Sequence, residues 1–131
     1  ASGISLLKAM QWMIEDIQAD YINISLGTVK NEFVAQMNKL CQQAHQQGSK
    51  LFAAVGGYPS LPAELAGVHS VATQPLAKFN QRNLKIDLVA LDDNILLYNN
   101  GWQQVNSSSS FACPLMLAQV LNQETGKGEV N

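Results

Sequence analysis

The chain has few of the residues that mark several protein classes. It carries two cysteines in 131 residues and no Cys-X-X-Cys pair, so it predicts neither a disulfide framework nor a metal or redox motif. Only 14% of its residues are charged, the net charge is −2, and no basic stripe is present, which argues against a nucleic-acid partner. No apolar run approaches the ~20 residues of a membrane-spanning helix. We therefore expect one globular domain over residues 1–131, without cofactor or metal.

Hydrophobic periodicity predicts alternating helices and short buried strands in the first half. Apolar residues at three- and four-residue spacing predict a helix over residues 4–17, with Ser5 as its cap. A second helix is predicted over residues 31–47, with Gly48 as its stop. Short apolar runs that end in glycine predict buried strands over residues 20–27 and 50–57.

The second half predicts more strands and one last helix. Strands are expected at residues 67–73 and 84–91, and Asn99-Asn-Gly101 is a hairpin signal. A helix should begin near Ser110, and residues 123–131 should be a flexible tail. This order predicts an α/β fold with a mostly parallel sheet flanked by helices. The buried side of the last helix is predicted to consist of Phe111, Leu115, Ala118 and Leu121.

The serine run at residues 107–110 enters the last helix directly. Serine is a preferred N-cap, and Pro114 is tolerated in a first helical turn. The N-terminus of a helix also favours negative charge, so Ser110 suits a nucleophile as well as an ordinary cap. The pattern alone favours the cap.

The segment Ser108-Ser-Ser-Phe-Ala-Cys-Pro114 resembles the Gly-Thr-Ser-X-Ala-X-Pro signature of subtilisin-like serine proteases. Ser110 falls on the nucleophile, and Ser108 and Ser109 replace the glycine and threonine. Four further segments resemble that family in the family's own order: residues 19–27, 44–57, 62–73 and 77–96. The resemblance extends over nearly all of residues 4–121 and implies the serine-bearing half of a three-layer subtilisin-like domain.

The resemblance also implies that the catalytic set is incomplete. In this family an aspartate and a histidine precede the serine, and both would lie before the first residue here. His45 and His69 fall on neither position, and a serine without a base is a poor nucleophile. Gly57 stands where the family has an asparagine oxyanion donor, whose loss in subtilisin costs about 10²–10³ in turnover.

The substrate side of the family's cleft is represented in the sequence. A peptide added along an exposed strand is held by main-chain hydrogen bonds, without catalysis. By resemblance, Ser25, Leu26 and Gly27 would present backbone groups to an extended peptide, and Ala53, Ala54 and Val55 would line the pocket for the residue before the cut. These two segments are explained equally well as core strands.

Two hypotheses follow. The first is a degenerate, noncatalytic subtilisin-like domain that binds a peptide or a partner protein, with Ser110 as a relic that caps its helix. The alternative is the serine-bearing half of a split, cleaved or excised endopeptidase, which the start at Ala-Ser-Gly without methionine favours. A phosphate loop at residues 55–57 is disfavoured, because the segment lacks the GxGxxG pattern and a following helix start.

The resemblance has a further structural implication. The strand at residues 21–26 would be an open sheet edge, because the family's sheet continues into the half that is not represented here. We expect a missing N-terminal half or a second copy to cover it.

Overall fold

Four parallel strands form the centre of the molecule, and helices cover both faces of the sheet. The computed structural model describes residues 3–90, 94–98, 102–106 and 109–126. The predicted α/β fold is confirmed. The elements are α1 (Gly3–Gln11), which continues as a π-helical segment (Trp12–Ile17), β1 (Tyr21–Ile24), a 3₁₀ turn (Asn31–Phe33), α2 (Val34–Gln46), β2 (Lys50–Ala54), β3 (Val68–Thr73), α3 (Gln74–Lys78), β4 (Leu88–Ala90), β5 (Asn94–Tyr98), β6 (Trp102–Asn106) and α4 (Ser109–Gly126).

The strands of the main sheet lie in the order β1-β2-β3-β4, so β1 forms one edge. Ile22 of β1 lies opposite Leu51 of β2, which lies opposite Val68 of β3. β5 and β6 form a separate antiparallel pair with Ile95 opposite Val105. The strands of the predicted hairpin are confirmed, and its turn at residues 99–101 lies outside the described residues.

One face of the sheet packs against α1 and α2. The helices contribute apolar side chains at three- and four-residue spacing, as the periodicity predicts. Gly48 ends α2 with a φ of 83°, a conformation that glycine adopts without strain. The buried residues of this layer include Leu6, Met10, Ile14, Met37, Leu40 and Ala44 from the helical layer and Ile22, Ile24, Leu51, Ala53 and Val68 from the strands.

The other face of the sheet packs against α4, but not through the predicted side of that helix. Leu115 is 45% exposed, Leu121 is 38% exposed and Ala118 is also exposed. The side chain of Phe111 lies outside the described residues. The prediction was wrong because apolar residues surround the first turns of this helix, so that periodicity could not select one face. The residues that pack here are Ala112, Cys113, Met116, Leu117 and Val120, against Phe52, Val71 and Ala90.

The fourth strand is shorter than predicted and includes only Leu88–Ala90. Leu84 is buried in the core, and the backbone N–H of Lys85 donates to the Glu64 carboxylate at 3.1 Å. Residues 84–86 are therefore held by the burial of Leu84 and by the hydrogen bond to Glu64, and not by strand pairing. Leu91 lies outside the described residues.

The short helix α3 was not predicted. Its cap is Thr73, whose hydroxyl accepts a hydrogen bond from the Leu76 N–H at 3.4 Å, and Pro75 occupies its first turn. The cap and proline signals were present in the sequence, but so short a helix offers no apolar periodicity.

Two predicted helix boundaries were wrong. α1 already includes Gly3, so Ser5 lies inside the helix and not at its cap. α4 continues to Gly126, into the segment predicted to be a tail. Glu124 binds the Tyr21 hydroxyl and the Lys50 ammonium group, which ties this end of α4 to the sheet. No helix that the structure describes is both long and apolar enough to cross a membrane.

Candidate functional site

A cleft of about 390 Å³ opens where the parallel strands end. Its walls follow the carboxyl ends of β1 and β2 and meet the first turn of α4, the usual position of binding sites in open α/β sheets. The residues that line it are Ser25, Leu26, Gly27, Ala54, Val55, Gly56, Gly57, Ser60, Leu76 and Ser110. Seven of these ten residues are among those that the resemblance to subtilisin-like proteases assigns to the substrate cleft or the catalytic set.

Two lining residues that lie far apart in the chain, Ser25 and Ser110, are joined by reciprocal hydrogen bonds. The Ser110 hydroxyl donates to the Ser25 carbonyl at 2.9 Å, and the Ser25 hydroxyl donates to the Ser110 carbonyl at 3.1 Å. The Asn23 side-chain amide donates to the Ser25 hydroxyl at 2.8 Å and orients it. These hydrogen bonds join the residue that follows β1 to the first turn of α4 and close the cleft on one side.

These contacts correct the prediction that Ser110 caps its helix. Ser110 is the second residue of α4, and its hydroxyl donates a hydrogen bond to another element, whereas a cap accepts one from its own helix. Ser110 is exposed within the cleft. The Ser108 side chain lies outside the described residues.

The opposite wall depends on a close approach of two backbone segments. Thr28 and Leu61 exchange backbone hydrogen bonds of 3.0 and 2.8 Å. A Cβ atom at Gly27 would lie 2.9 Å from the Leu61 carbonyl oxygen and 3.3 Å from Ser60. Glycine is therefore required at position 27, because any side chain would push the wall out of place.

The floor of the cleft differs from the prediction at one residue. Ala53 does not line the cleft and is fully buried in the α1–α2 layer. Side chains alternate along a strand, so Ala53 and its neighbour Ala54 cannot both face the same layer. Gly57 lines the cleft, and a Cβ atom there would meet nothing within 4 Å.

No titratable side chain lines the cleft within the described part of the chain. His45 is exposed near the end of α2. His69 lies in β3, where its ring stacks on Phe52 at a centroid distance of 4.7 Å. The structure therefore brings neither histidine to Ser110, and the serine hydroxyl faces a carbonyl that cannot act as a base.

Cys41 and Cys113 are both buried free thiols. Burial raises the pKa of the Cys41 thiol to about 11 and that of the Cys113 thiol to about 12. Cys113 lies in the first turns of α4, close to Ser110, but its thiol stays protonated and is a poor nucleophile at neutral pH. Across the described residues, no three His, Cys, Asp or Glu side chains form a metal-binding group.

Sequence analysis missed three lining residues, Gly56, Ser60 and Leu76. Ser60 reaches the cleft through the bridge between Thr28 and Leu61, which pairs residues far apart in the chain. Leu76 reaches it on α3, which the Thr73 cap and Pro75 could have predicted.

No protein-family model matches the chain, and no curated protein matches it significantly.

Proposed function

We propose that this chain is a degenerate subtilisin-like domain that binds an extended peptide or a segment of a partner protein without cleaving it. The observation that carries the proposal is the Ser110 hydroxyl, which donates to the Ser25 carbonyl in a cleft whose described lining offers no base. Nucleophilic attack requires that the serine proton pass to a basic group, and a backbone carbonyl does not accept it. The cleft retains the means of binding without the means of catalysis.

The lining of the cleft supports a peptide ligand. Leu26 is 48% exposed and offers an apolar contact, while Gly27, Gly56 and Gly57 leave backbone groups accessible. An extended peptide can use such groups for main-chain hydrogen bonds and the apolar surface for its side chains. Seven of the ten lining residues carry no polar side-chain atom, so recognition would depend on shape and backbone pairing.

The alternative function is the serine-bearing half of an endopeptidase. It is favoured by the exposure of Ser110 in the same cleft as Gly57, because a histidine supplied by another polypeptide could then reach the hydroxyl. In that complex the Ser110–Ser25 hydrogen bond would have to break before the serine became activated.

Labelling with a fluorophosphonate probe separates the two functions. The purified chain and a Ser110→Ala variant are incubated with the probe, with subtilisin as the positive control and circular dichroism as the test of folding. We expect labelling of neither folded chain. Labelling of the unmodified chain that Ser110→Ala abolishes would contradict the proposal and establish an activated serine.

A further inference from the structure

A second space adjoins the cleft and differs from it in charge. It has a volume of about 360 Å³ and shares two lining residues, Gly57 and Leu76, with the cleft. A peptide that leaves the cleft past Gly57 therefore enters this space directly. Its remaining lining residues are Phe79, Asn80, Gln81, Arg82 and Leu84.

Arg82 is the one charged side chain that lines either space in the described part of the chain. Its guanidinium group lies 4.1 Å from the centroid of the Tyr58 ring, a stacked geometry that orients the planar group. It makes no ion pair with any carboxylate that the structure describes. The charge is therefore placed and oriented, but not neutralised, at the end of the cleft.

The turn that carries Arg82 is held by its own hydrogen bonds. The Asn80 side chain accepts from the Leu84 N–H at 2.8 Å and donates to the Leu84 carbonyl at 2.9 Å. Leu84 is buried in the core, which anchors the far end of the turn. Binding at Arg82 would therefore cost little backbone conformational entropy, which favours affinity.

We infer that Arg82 binds a carboxylate of the peptide that occupies the cleft. A guanidinium group can hold a carboxylate through two parallel hydrogen bonds, and no acidic residue among the described lining competes for it. The carboxylate belongs to an acidic side chain or to the C-terminus of the peptide. This inference rests on the proposed peptide-binding function and adds the charge of the ligand.

The test uses fluorescein-labelled octapeptide pools and measures their Kd by fluorescence anisotropy. In each pool one position is fixed as Glu, or as Gln in the matched pool, and every other position is random. A parallel pair of pools has a free or an amidated C-terminus, which distinguishes the two sources of the carboxylate. The proteins are the unmodified chain, Arg82→Gln, Arg82→Lys and Lys39→Gln. Lys39 lies on an exposed position of α2, away from both spaces, and its variant matches the loss of charge.

We expect the carboxylate-bearing pool of one pair to bind about three- to tenfold more tightly than its neutral match. Arg82→Gln should abolish that ratio, Arg82→Lys should reduce it because lysine lacks the planar fork, and Lys39→Gln should leave it unchanged. Equal binding of all matched pools, or a ratio that survives Arg82→Gln, would overturn the inference while peptide binding stands. If no pool binds the folded chain, the proposed function itself fails.

Discussion

At the scale of single residues, one buried hydroxyl depends on a charged partner. Ser70 is fully buried, and its backbone N–H and its hydroxyl both donate to the Asp87 carboxylate at 3.0 Å. The Lys85 ammonium group donates to the same carboxylate and to the Val68 carbonyl, at 2.5 and 2.6 Å. The carboxylate thus satisfies two buried donors and fixes the approach to β4.

The charge of Asp87 makes this contact dependent on pH. Partial burial raises the pKa of Asp87, but the hydrogen bonds from Lys85 and Ser70 outweigh burial and hold the pKa below its ordinary value of 3.8. A carboxylate whose pKa is lower in the folded state stabilises the fold at every pH above its unfolded value. That contribution is lost as the pH falls below 3.8 and through the folded pKa.

We predict that Asp87→Ala lowers the free energy of unfolding by about 1–3 kcal/mol near pH 7, because it leaves the buried donors of Ser70 without an acceptor. Urea denaturation followed by circular dichroism measures the loss. The loss should be smaller near pH 3, below the ordinary pKa of 3.8, because protonation of Asp87 in the unfolded state removes part of the stabilisation there. Asp16→Ala, on an exposed position, is the control and should change stability by less than about 0.5 kcal/mol. Equal losses for Asp87→Ala at both pH values would contradict the assignment.

At the scale of elements, the sequence predicted the helices and strands whose apolar residues follow a regular pattern. α1 and α2 were predicted because apolar residues recur at helical spacing, and β1 and β2 were predicted because short apolar runs end in glycine. The buried face of α4 was not, because its apolar residues lie on every side of its first turns. Which side faces inward is decided by Phe52 and Val71 of the sheet, which the local sequence of the helix does not contain.

This packing predicts unequal effects for the same substitution at two nearby positions. Leu117→Ala removes a side chain that packs against the sheet and should lower the free energy of unfolding by about 1–3 kcal/mol, less than for a fully buried leucine. Leu115→Ala is the matched control, since Leu115 is 45% exposed, and should change stability by less than about 0.5 kcal/mol. Thermal and urea denaturation of both variants would decide which face of α4 packs against the sheet. A larger loss at Leu115 would restore the face that the sequence suggested.

The candidate site was predictable to the extent that it follows from strand direction. Ser25, Val55 and Gly57 meet because the carboxyl ends of parallel strands lie at one edge of a sheet. The assignment of Ala53 failed because the resemblance concerned a segment, whereas alternate side chains of a strand face opposite layers. The hydrogen bond between Ser110 and Ser25 depends on packing across 85 positions of sequence, which no local pattern encodes.

At the scale of the whole molecule, β1 leaves one edge of the main sheet without a neighbouring strand among the described elements. An edge strand exposes backbone donors and acceptors that can pair with another chain. We predict that the purified chain self-associates through β1 and elutes at twice the mass of one chain when size exclusion is combined with light scattering.

A variant with a charged residue in β1 provides the control for that measurement. Asn23 is an exposed residue of β1, and Asn23→Lys would bring like charges together across an antiparallel pair of edges. The variant should shift the population towards the single chain. A single chain at all concentrations of the unmodified protein would contradict the prediction.

The position of α4 has a consequence for synthesis on the ribosome. α4 packs against all four strands of the main sheet, yet it is the last of the described elements to be translated. Until residues 109–126 emerge from the ribosome, the face that carries Phe52 and Val71 has no helix to cover it. The nascent chain therefore presents an apolar surface until α4 emerges and docks, which is the interval in which a chaperone or a neighbouring nascent chain would bind it.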